Sequence, residues 1–291
     1  MRIAYLACRL TLPGSPERRT DAFEHDQMID CLVAAFAARG SAIEAIAWDD
    51  DDADWNQFDA VLIGSTWDYQ DNLAAFLARL SEIEAKCPLF NSRETVGWNS
   101  RKTYLKDLAA KGAPTVPTLW LDEPHDAAIA SAFETLKSDD LVLKRQVGAN
   151  AEGQVRLKRS NPRPALSDPM MVQPFLPAIQ SEGELSLVFI DGAFSHALIK
   201  TAAGGDYRIQ SSYGGTERRH EPDPADLAAA ARIVDSLDET PLYARVDLVR
   251  GEDGNVRLME LELIEPFLYP RQSDGLGERI YDALARRLNT I

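Results

Sequence analysis

Short apolar runs alternate with amphipathic segments along the N-terminal third of the chain, and this alternation constrains the fold more than any single motif. Residues 3–8 form a continuous apolar run that predicts a buried strand, and residues 23–40 carry apolar side chains at helical spacing. Two further strands and a second helix are predicted at 42–48, 60–63 and 73–83. This order predicts a parallel sheet with right-handed crossovers, which binds ligands in loops beyond the carboxyl ends of its strands.

Composition narrows the class of protein. The 291 residues are 45% hydrophobic, which is enough for several hydrophobic cores. The net charge of −15 argues against a nucleic-acid partner, although a local basic pocket could still hold a nucleotide. The three cysteines show no paired spacing and no apolar run is long enough to span a membrane. We therefore predict a cytoplasmic protein with reduced thiols and no membrane partner.

The character of the sequence changes beyond this region. An amphipathic helix predicted at 98–112 ends in a proline-punctuated segment, which indicates a domain boundary. Two short strands around the glycine loop 148–153 predict an antiparallel hairpin, and the remainder is rich in strands. We predict an N-terminal domain, a central subdomain and a C-terminal subdomain at 1–95, 96–175 and 176–291.

Three acidic side chains near the C-terminus form a candidate metal site. Glu260 and Glu262 are two residues apart on a predicted strand, so both lie on the same face. A predicted hairpin brings Asp247 of the preceding strand close to them. Clustered carboxylates repel each other, and a hard divalent cation such as Mg²⁺ relieves the repulsion. The alternative is a solvent-facing strand edge with alternating acids.

Two lysines are candidate phosphate ligands. Lys102 lies in the predicted helix at 98–112, and Lys144 ends an apolar strand beside the loop 148–153. Glycines let backbone N–H groups approach phosphate oxygens, and a lysine beside such a loop supplies charge. The alternative is that both lysines are simply solvated.

A strand-turn-strand segment follows the lysines and could hold an adenine ring against its backbone and apolar side chains. The turn consists of Gln173, Pro174, Phe175 and Leu176. Glu184 begins the next strand, where its carboxylate could accept hydrogen bonds from ribose hydroxyls. The alternative is ordinary apolar packing at a turn.

Two segments are candidate substrate contacts. The loop after the third strand carries Ser65, Thr66, Trp67 and Asp68 beyond the carboxyl end of the predicted sheet. Glu265 and Arg271 follow the acidic strand and could receive an amino group and a carboxylate. The alternatives are that Trp67 caps the core and that Glu265 and Arg271 form surface ion pairs.

The order of these elements, from Lys102 to Pro266, resembles the ATP-grasp superfamily in its glutathione synthetase-like branch. The segments STWDY, WNSRKTYL, QPFL and MELELIEP are also similar to the small subgroup that includes the D-cycloserine synthetase. The resemblance implies an α/β protein of α+β ATP-grasp type. An N-terminal parallel α/β domain would precede two α+β subdomains whose antiparallel sheets sandwich ATP.

The resemblance also implies a role for each candidate residue. Lys102 and Lys144 would hold ATP phosphates, Gln173 to Leu176 the adenine and Glu184 the ribose. Asp247, Glu260 and Glu262 would bind the metal, and Arg208 would steady the acyl phosphate or the γ-phosphate. Glu262 stands where the family usually has asparagine, and Arg145 stands where it commonly has proline.

The implied activity is that of an ATP- and Mg²⁺-dependent carboxylate–amine ligase, with Mn²⁺ as an alternative metal. It would form an amide or peptide-like bond on an amino-acid-like small molecule through an acyl phosphate, intramolecular cyclisation included. Closing lids are expected at 148–153 and 204–215, where plain surface loops are the alternative. A small-molecule kinase and a non-catalytic ATP-binding protein remain alternatives on the same fold, and a homodimer is left open.

Overall fold

The computed structural model describes residues 1–148, 151–204, 206–210 and 213–290. Parts of both predicted lid loops, namely 149–150, 205 and 211–212, lie outside the described residues. Within the described chain the strands form a parallel sheet followed by two antiparallel sheets. This confirms the predicted fold class.

The first sheet has the strand order β2-β1-β3-β4, and its paired strands are parallel. Apolar side chains cover both faces, as a parallel sheet requires. Gly64 ends this sheet against the Tyr5 ring, where a Cβ would lie 2.0 Å from a ring carbon. The elements are β1 (Arg2–Ala7), α1 (Ala22–Ala37), β2 (Ala42–Ala47), β3 (Ala60–Ile63), α2 (Leu73–Glu84) and β4 (Leu89–Phe90).

The prediction of one continuous helix at 98–112 is wrong, because the structure contains two helices here, α3 (Arg93–Asn99) and α4 (Tyr104–Ala110). Lys102 lies in the bend between them. Its backbone N–H donates to the Gln146 carbonyl at 2.7 Å, and the Arg101 guanidinium donates to the Gln146 side chain at 3.1 Å. These contacts with a distant segment replace local helical bonds and interrupt the helix.

The second sheet is antiparallel with the order β5-β8-β6-β7. One face packs against α5 through Ile129 and Phe133, which are fully buried. The hairpin predicted around the loop 148–153 is confirmed as β6 and β7. The elements are β5 (Leu119–Leu121), α5 (Asp126–Thr135), β6 (Asp140–Arg145), β7 (Val155–Lys158) and β8 (Met170–Pro174).

The third sheet has the order β11-β10-β9-β12-β13 and is also antiparallel. Helices α4 and α7 supply apolar side chains to the core that covers one of its faces. The elements are α6 (Ala178–Ser181), β9 (Glu184–Ile190), β10 (Ala193–Thr201), β11 (Thr216–His220), α7 (Pro224–Asp235), β12 (Tyr243–Arg250), β13 (Val256–Glu262) and α8 (Leu276–Leu288).

The first and third sheets are joined by a shared core and by buried hydrogen bonds. The Asn91 amide donates to the carbonyls of Tyr243 and Leu263 at 3.0 and 2.8 Å, and its oxygen accepts from the Leu242 N–H at 2.6 Å. Helix α8 returns from the third sheet to pack against α1 of the first. We propose that the domains predicted at 1–95, 96–175 and 176–291 follow these sheets.

No helix within the described ranges is both long and apolar enough to cross a membrane.

Gly277 should be required at the contact between α8 and α1. A Cβ there would lie 2.6 Å from the Cys31 carbonyl oxygen and 2.7 Å from the Ala35 Cβ. We expect Gly277→Ala to lower the free energy of unfolding by about 1–3 kcal/mol, because the helices cannot approach as closely. Urea denaturation measures this change.

Gly97→Ala in α3 is the matched control, because the nearest atom to its Cβ would be Arg93 Nη1 at 3.7 Å. Alanine favours a helix interior, so this variant should gain up to about 1 kcal/mol. Equal effects of the two substitutions would contradict a packing requirement at Gly277.

Candidate active site

A cavity of about 200 Å³ is lined by side chains from all three sheets. The second sheet contributes Val142, Lys144 and the end of β8, and the third sheet contributes charged residues of β9, β10, β12 and β13. The first sheet contributes Trp67 from the loop after β3. Segments distant in sequence therefore meet at one concave site, as ligand-binding sites in proteins commonly require.

The acidic side chains of β12 and β13 lie beside each other on the cavity face. Asp247 pairs directly with Glu260 in the antiparallel register, and Leu261 points away into the core with 1% exposure. The register shifts next to Asp247, where Leu248 pairs with Leu258. This bulge leaves Met259 as an extra residue, so Met259 and Glu260 both reach the cavity although they are adjacent.

Buried cations hold these carboxylates. The Arg245 guanidinium donates to both Asp247 oxygens, at 2.9 Å for the shortest contact, and also to Glu262. Lys102 forms an ion pair with Glu260. Lys200 contacts Glu184 at 2.5 Å and Asp247 at 3.5 Å. The contact with Arg245 offsets the negative charge of the Glu262 carboxylate.

Two ionisable side chains in the cavity wall have no such partner. Within the described ranges, neither the Lys144 ammonium nor the Glu265 carboxyl makes a hydrogen bond or ion pair. Burial lowers the pKa of Lys144, and burial together with the nearby charges of Glu262 and Glu260 raises the pKa of Glu265 well above its usual range. Because a buried polar group without a hydrogen-bonding partner is costly, both groups are suited to bind a polar ligand.

The pKa values of the paired acids differ according to their surroundings. Burial raises the pKa of Glu262 to about 7, and burial together with the charge of Asp247 raises that of Glu184 to about 7 in spite of its contact with Lys200. Burial acts in the same direction on Asp247, but Arg245 and Lys200 outweigh it and lower its pKa to about 2. Asp247 therefore remains ionised at neutral pH.

An apolar slot lies beside the charged face, next to the end of β8. The Phe175 ring packs edge-on against Tyr207 at 5.9 Å, and the Arg156 guanidinium lies 3.4 Å from the Phe175 centroid. The slot is formed by side chains from both antiparallel sheets and the loop after β10, namely Val116, Val142, Phe175, Ile209, Val249 and Met259. Its apolar walls and its position beside the lysines suit a planar nucleobase.

The structure brings most of the predicted site residues to the cavity wall. These are Trp67, Lys102, Lys144, Gln173, Pro174, Phe175, Leu176, Glu184, Arg208, Asp247, Glu260, Glu262 and Glu265. The Gln173 side chain donates to the Thr118 hydroxyl at 2.9 Å, so its own amide N–H is engaged within the fold. Arg208 is held by Asp206 at 2.8 Å and lies over the Tyr213 ring. Their roles remain predictions.

Four of the predicted substrate contacts lie outside the cavity wall. The Ser65 hydroxyl is 2.6 Å from His25 Nδ1, and Asp68 accepts a hydrogen bond from the Trp48 indole at 2.8 Å. Thr66 is fully buried beside them, and Arg271 is exposed. The polar atoms of Ser65 and Asp68 therefore serve contacts within the first sheet's layer, whereas Trp67 donates to the Glu265 carbonyl at 3.1 Å.

Sequence reasoning missed Lys200, Arg245 and Tyr269, which all line the cavity. Arg245 is two residues before Asp247, so strand periodicity would have been enough to place both side chains on one face. Lys200 follows the apolar residues Ala197–Ile199 in the same way as Lys144 follows Leu141–Leu143, and this sequence signal could have found it. Tyr269 lies in the segment after the acidic strand that was expected to contact substrate, but no role was assigned to it. Its ring lies 5.7 Å from both Lys200 Nζ and the Arg245 guanidinium carbon.

This residue set fits a metal–nucleotide ligand. Carboxylates on two paired strands supply the oxygen donors that Mg²⁺ prefers, and the adjacent lysines supply charge for phosphates. Glu260 and Glu184 act on the Lys144 ammonium from a distance, but it forms no direct ion pair in the described chain, and a phosphate would provide that direct partner.

Comparison with known proteins agrees with this fit. Residues 3–91 match the family described as the N-terminal domain of D-cycloserine synthetase DcsG. The cycloserine biosynthesis protein DcsG of Streptomyces lavendulae is 31% identical over 277 residues, which cover 88% of this chain and 92% of that protein.

Solved structures share the whole fold. The crystal structure of D-cycloserine synthetase DcsG superposes with a TM-score of 0.86 and 28% identity, over 99% of this chain and 100% of that chain. The ATP-grasp ligase PsnB, solved with a precursor variant, Mg and ADP, shares the fold at a TM-score of 0.68 and 18% identity over 98% of both chains.

The fold and the charged cavity define an ATP-grasp ligase, an enzyme that forms carbon–nitrogen bonds, which confirms the resemblance seen in the sequence. Within this class, the chain belongs to the D-cycloserine synthetase DcsG family.

The raised pKa of Glu262 should make stability depend on pH. A carboxyl group whose pKa rises from 4.5 to about 7 on folding contributes stability below its unfolded pKa and loses it as the pH rises through the folded pKa. We expect Glu262→Gln, which cannot ionise, to lose about 2–3 kcal/mol less stability than the wild type as the pH rises from 4.5 to about 7. Urea denaturation in metal-free buffer measures the difference.

Glu252→Gln is the control, because Glu252 lies exposed in the turn between β12 and β13. Its pH dependence should match that of the wild type. A Glu262→Gln slope equal to the wild-type slope would show that Glu262 titrates normally.

Proposed function

We propose that this enzyme joins a carboxylate to an amine on one amino-acid-like molecule, using ATP and Mg²⁺ and closing a ring through an acyl phosphate. One observation carries the proposal: two lysines from separate segments, Lys102 and Lys144, share a cavity with the carboxylates of β12 and β13. The D-cycloserine synthetase relatives support an amino-acid-like ring product.

The nucleotide would lie with its base in the apolar slot and its phosphates toward the lysines. Glu184 would accept hydrogen bonds from the ribose, since it begins the strand that follows the β8 turn. Lys102, Lys144 and Lys200 would stabilise the charge that develops on the transferred phosphoryl group. Asp247, Glu260 and Glu262 would hold Mg²⁺, which neutralises charge on the β- and γ-phosphate oxygens when bound.

The chemistry requires two steps. A carboxylate oxygen of the substrate attacks the γ-phosphorus, the bond to the β-phosphate oxygen breaks, and ADP leaves. The amine nitrogen then attacks the acyl carbon, inorganic phosphate leaves, and the nitrogen gives up a proton. Arg245 and Arg208 are the guanidinium groups of the wall that would face the acyl phosphate, and the cavity would shield it from water.

The substrate would lie between the acidic strand and the first sheet's layer. The Glu265 carboxyl lies at this end and makes no hydrogen bond or ion pair with the described residues, while the Trp67 indole donates to the Glu265 backbone carbonyl at 3.1 Å. We propose that Glu265 receives the substrate amino group. The homodimer stays open, and the cytoplasmic location stays a prediction.

Turnover should depend on Glu260. We expect Glu260→Gln to reduce ADP formation by about a hundredfold, because an electrostatic contact to the metal–phosphate centre is lost. ADP release is measured with ATP, Mg²⁺ and O-ureido-D-serine or its L-enantiomer. Glu252→Gln, in the same hairpin, should retain the wild-type rate, and wild-type activity in Glu260→Gln would refute the metal assignment.

Hydroxylamine should separate a ligase from a kinase. An acyl phosphate reacts with hydroxylamine to give a hydroxamate, whereas an ordinary phosphate ester does not. We expect stoichiometric ADP and a cyclised amide without hydroxylamine, and a hydroxamate with it. ADP accompanied by a stable phosphorylated substrate would establish a kinase, and absence of turnover with nucleotide binding would favour a binding protein.

A further inference from the structure

The carboxylates proposed for the metal are occupied by the cations proposed for the phosphates. Lys102 holds Glu260, and Arg245 holds Glu262 and Asp247. Lys200 contacts Asp247 from the other side at 3.5 Å. As a result, no three acidic, histidine or cysteine side chains of the described ranges converge on a common centre.

These ion pairs are shielded from water. The side chains of Lys200, Arg245 and Asp247 are 8%, 8% and 3% exposed. In the Lys102–Glu260 pair the lysine is 13% exposed and the glutamate 32%, so solvent reaches this pair mainly from the carboxylate side. Separating a buried pair without compensation is expensive, because it leaves a charge of low solvation. Neither partner can therefore be withdrawn cheaply by a single ligand.

A divalent metal and a polyphosphate that bind together affect these ion pairs differently from either ligand alone. A metal that takes Glu260 leaves the Lys102 ammonium without its anion, and a phosphate that takes Lys102 leaves the Glu260 carboxylate without its cation. When both ligands enter, each displaced group acquires a new partner of opposite charge. The free energy needed to separate the ion pairs is then required only once, although two ligands bind.

We infer that metal ion and nucleotide bind cooperatively through an exchange of these ion pairs, with Lys102–Glu260 as the principal pair. The inference rests on the proposed function, because it uses the same assignment of ligands. Linkage requires the effect to be reciprocal, so each ligand raises the affinity for the other by the same factor. We expect this factor to be about tenfold or more in the wild type, within the range of coupled sites.

Binding measurements on single variants test the exchange. Mn²⁺ alone is titrated by electron paramagnetic resonance, and a non-hydrolysable ATP analogue, adenylyl imidodiphosphate, is titrated by calorimetry in EDTA. We expect Lys102→Met to raise Mn²⁺ affinity about threefold or more, because Glu260 is released. We expect Glu260→Gln to raise the metal-free affinity for the analogue by about the same factor, because Lys102 is released.

Two controls separate exchange from general electrostatics. Lys144→Met removes another lysine of the cavity wall, but Lys144 has no ion-pair partner in the described chain, so its Mn²⁺ affinity should rise less. Lys111→Met breaks the exposed pair with Asp238 at 2.8 Å and should leave both affinities unchanged.

The outcomes decide the inference. It is overturned when Lys102→Met gains no more Mn²⁺ affinity than Lys144→Met, or when Glu260→Gln binds the metal-free analogue no better than the wild type. If Lys102→Met does not fold, the affinity of Glu260→Gln for the metal-free analogue decides whether the exchange occurs. Wild-type protein that fails to bind the analogue together with Mn²⁺ would instead refute the proposed function, whereas tight joint binding without these gains refutes only the exchange.

Discussion

Arg245 connects the charged groups of the cavity, and the arrangement of the acidic strands depends on it. Its guanidinium donates to Asp247, to Glu262 and to the Phe267 carbonyl from a position with 7% exposure. Without that cation, carboxylates on two adjacent strands would repel one another in a poorly solvated space. The third sheet can therefore carry several acids on one face because Arg245, together with Lys200 on the same sheet and Lys102, supplies cations beside them.

The same interaction links the metal strand to the substrate end of the cavity. The Phe267 carbonyl belongs to the segment that leaves β13, and Trp67 fixes the preceding Glu265 carbonyl from the first sheet's layer. The Asn91 hydrogen bonds and the contact between α8 and α1 join these layers. The proposed catalytic acids and the substrate end are thus held by one continuous core.

Regular periodicity was sufficient to predict the elements of the fold. The strand at 60–63 and the pairing of Asp247 with the acidic strand are confirmed, because a continuous apolar run and a short acidic turn determine them locally. The break at Lys102 could not be predicted, since Gln146 creates it from another segment. Ser65 and Asp68 lie away from the cavity for a similar reason, since their partners His25 and Trp48 come from elsewhere in the chain.

The apolar slot shows why a bulge changes which residues a site contains. Strict alternation along β13 places Met259 opposite Glu260, yet the register shift beside Asp247 turns both toward the cavity. A thioether thereby joins the apolar wall directly beside a charged carboxylate. Such a side chain is flexible and polarisable, so it can pack against a flat ring without disturbing the ion pair of its neighbour. The bulge thus places the boundary between the apolar slot and the charged face within a single dipeptide.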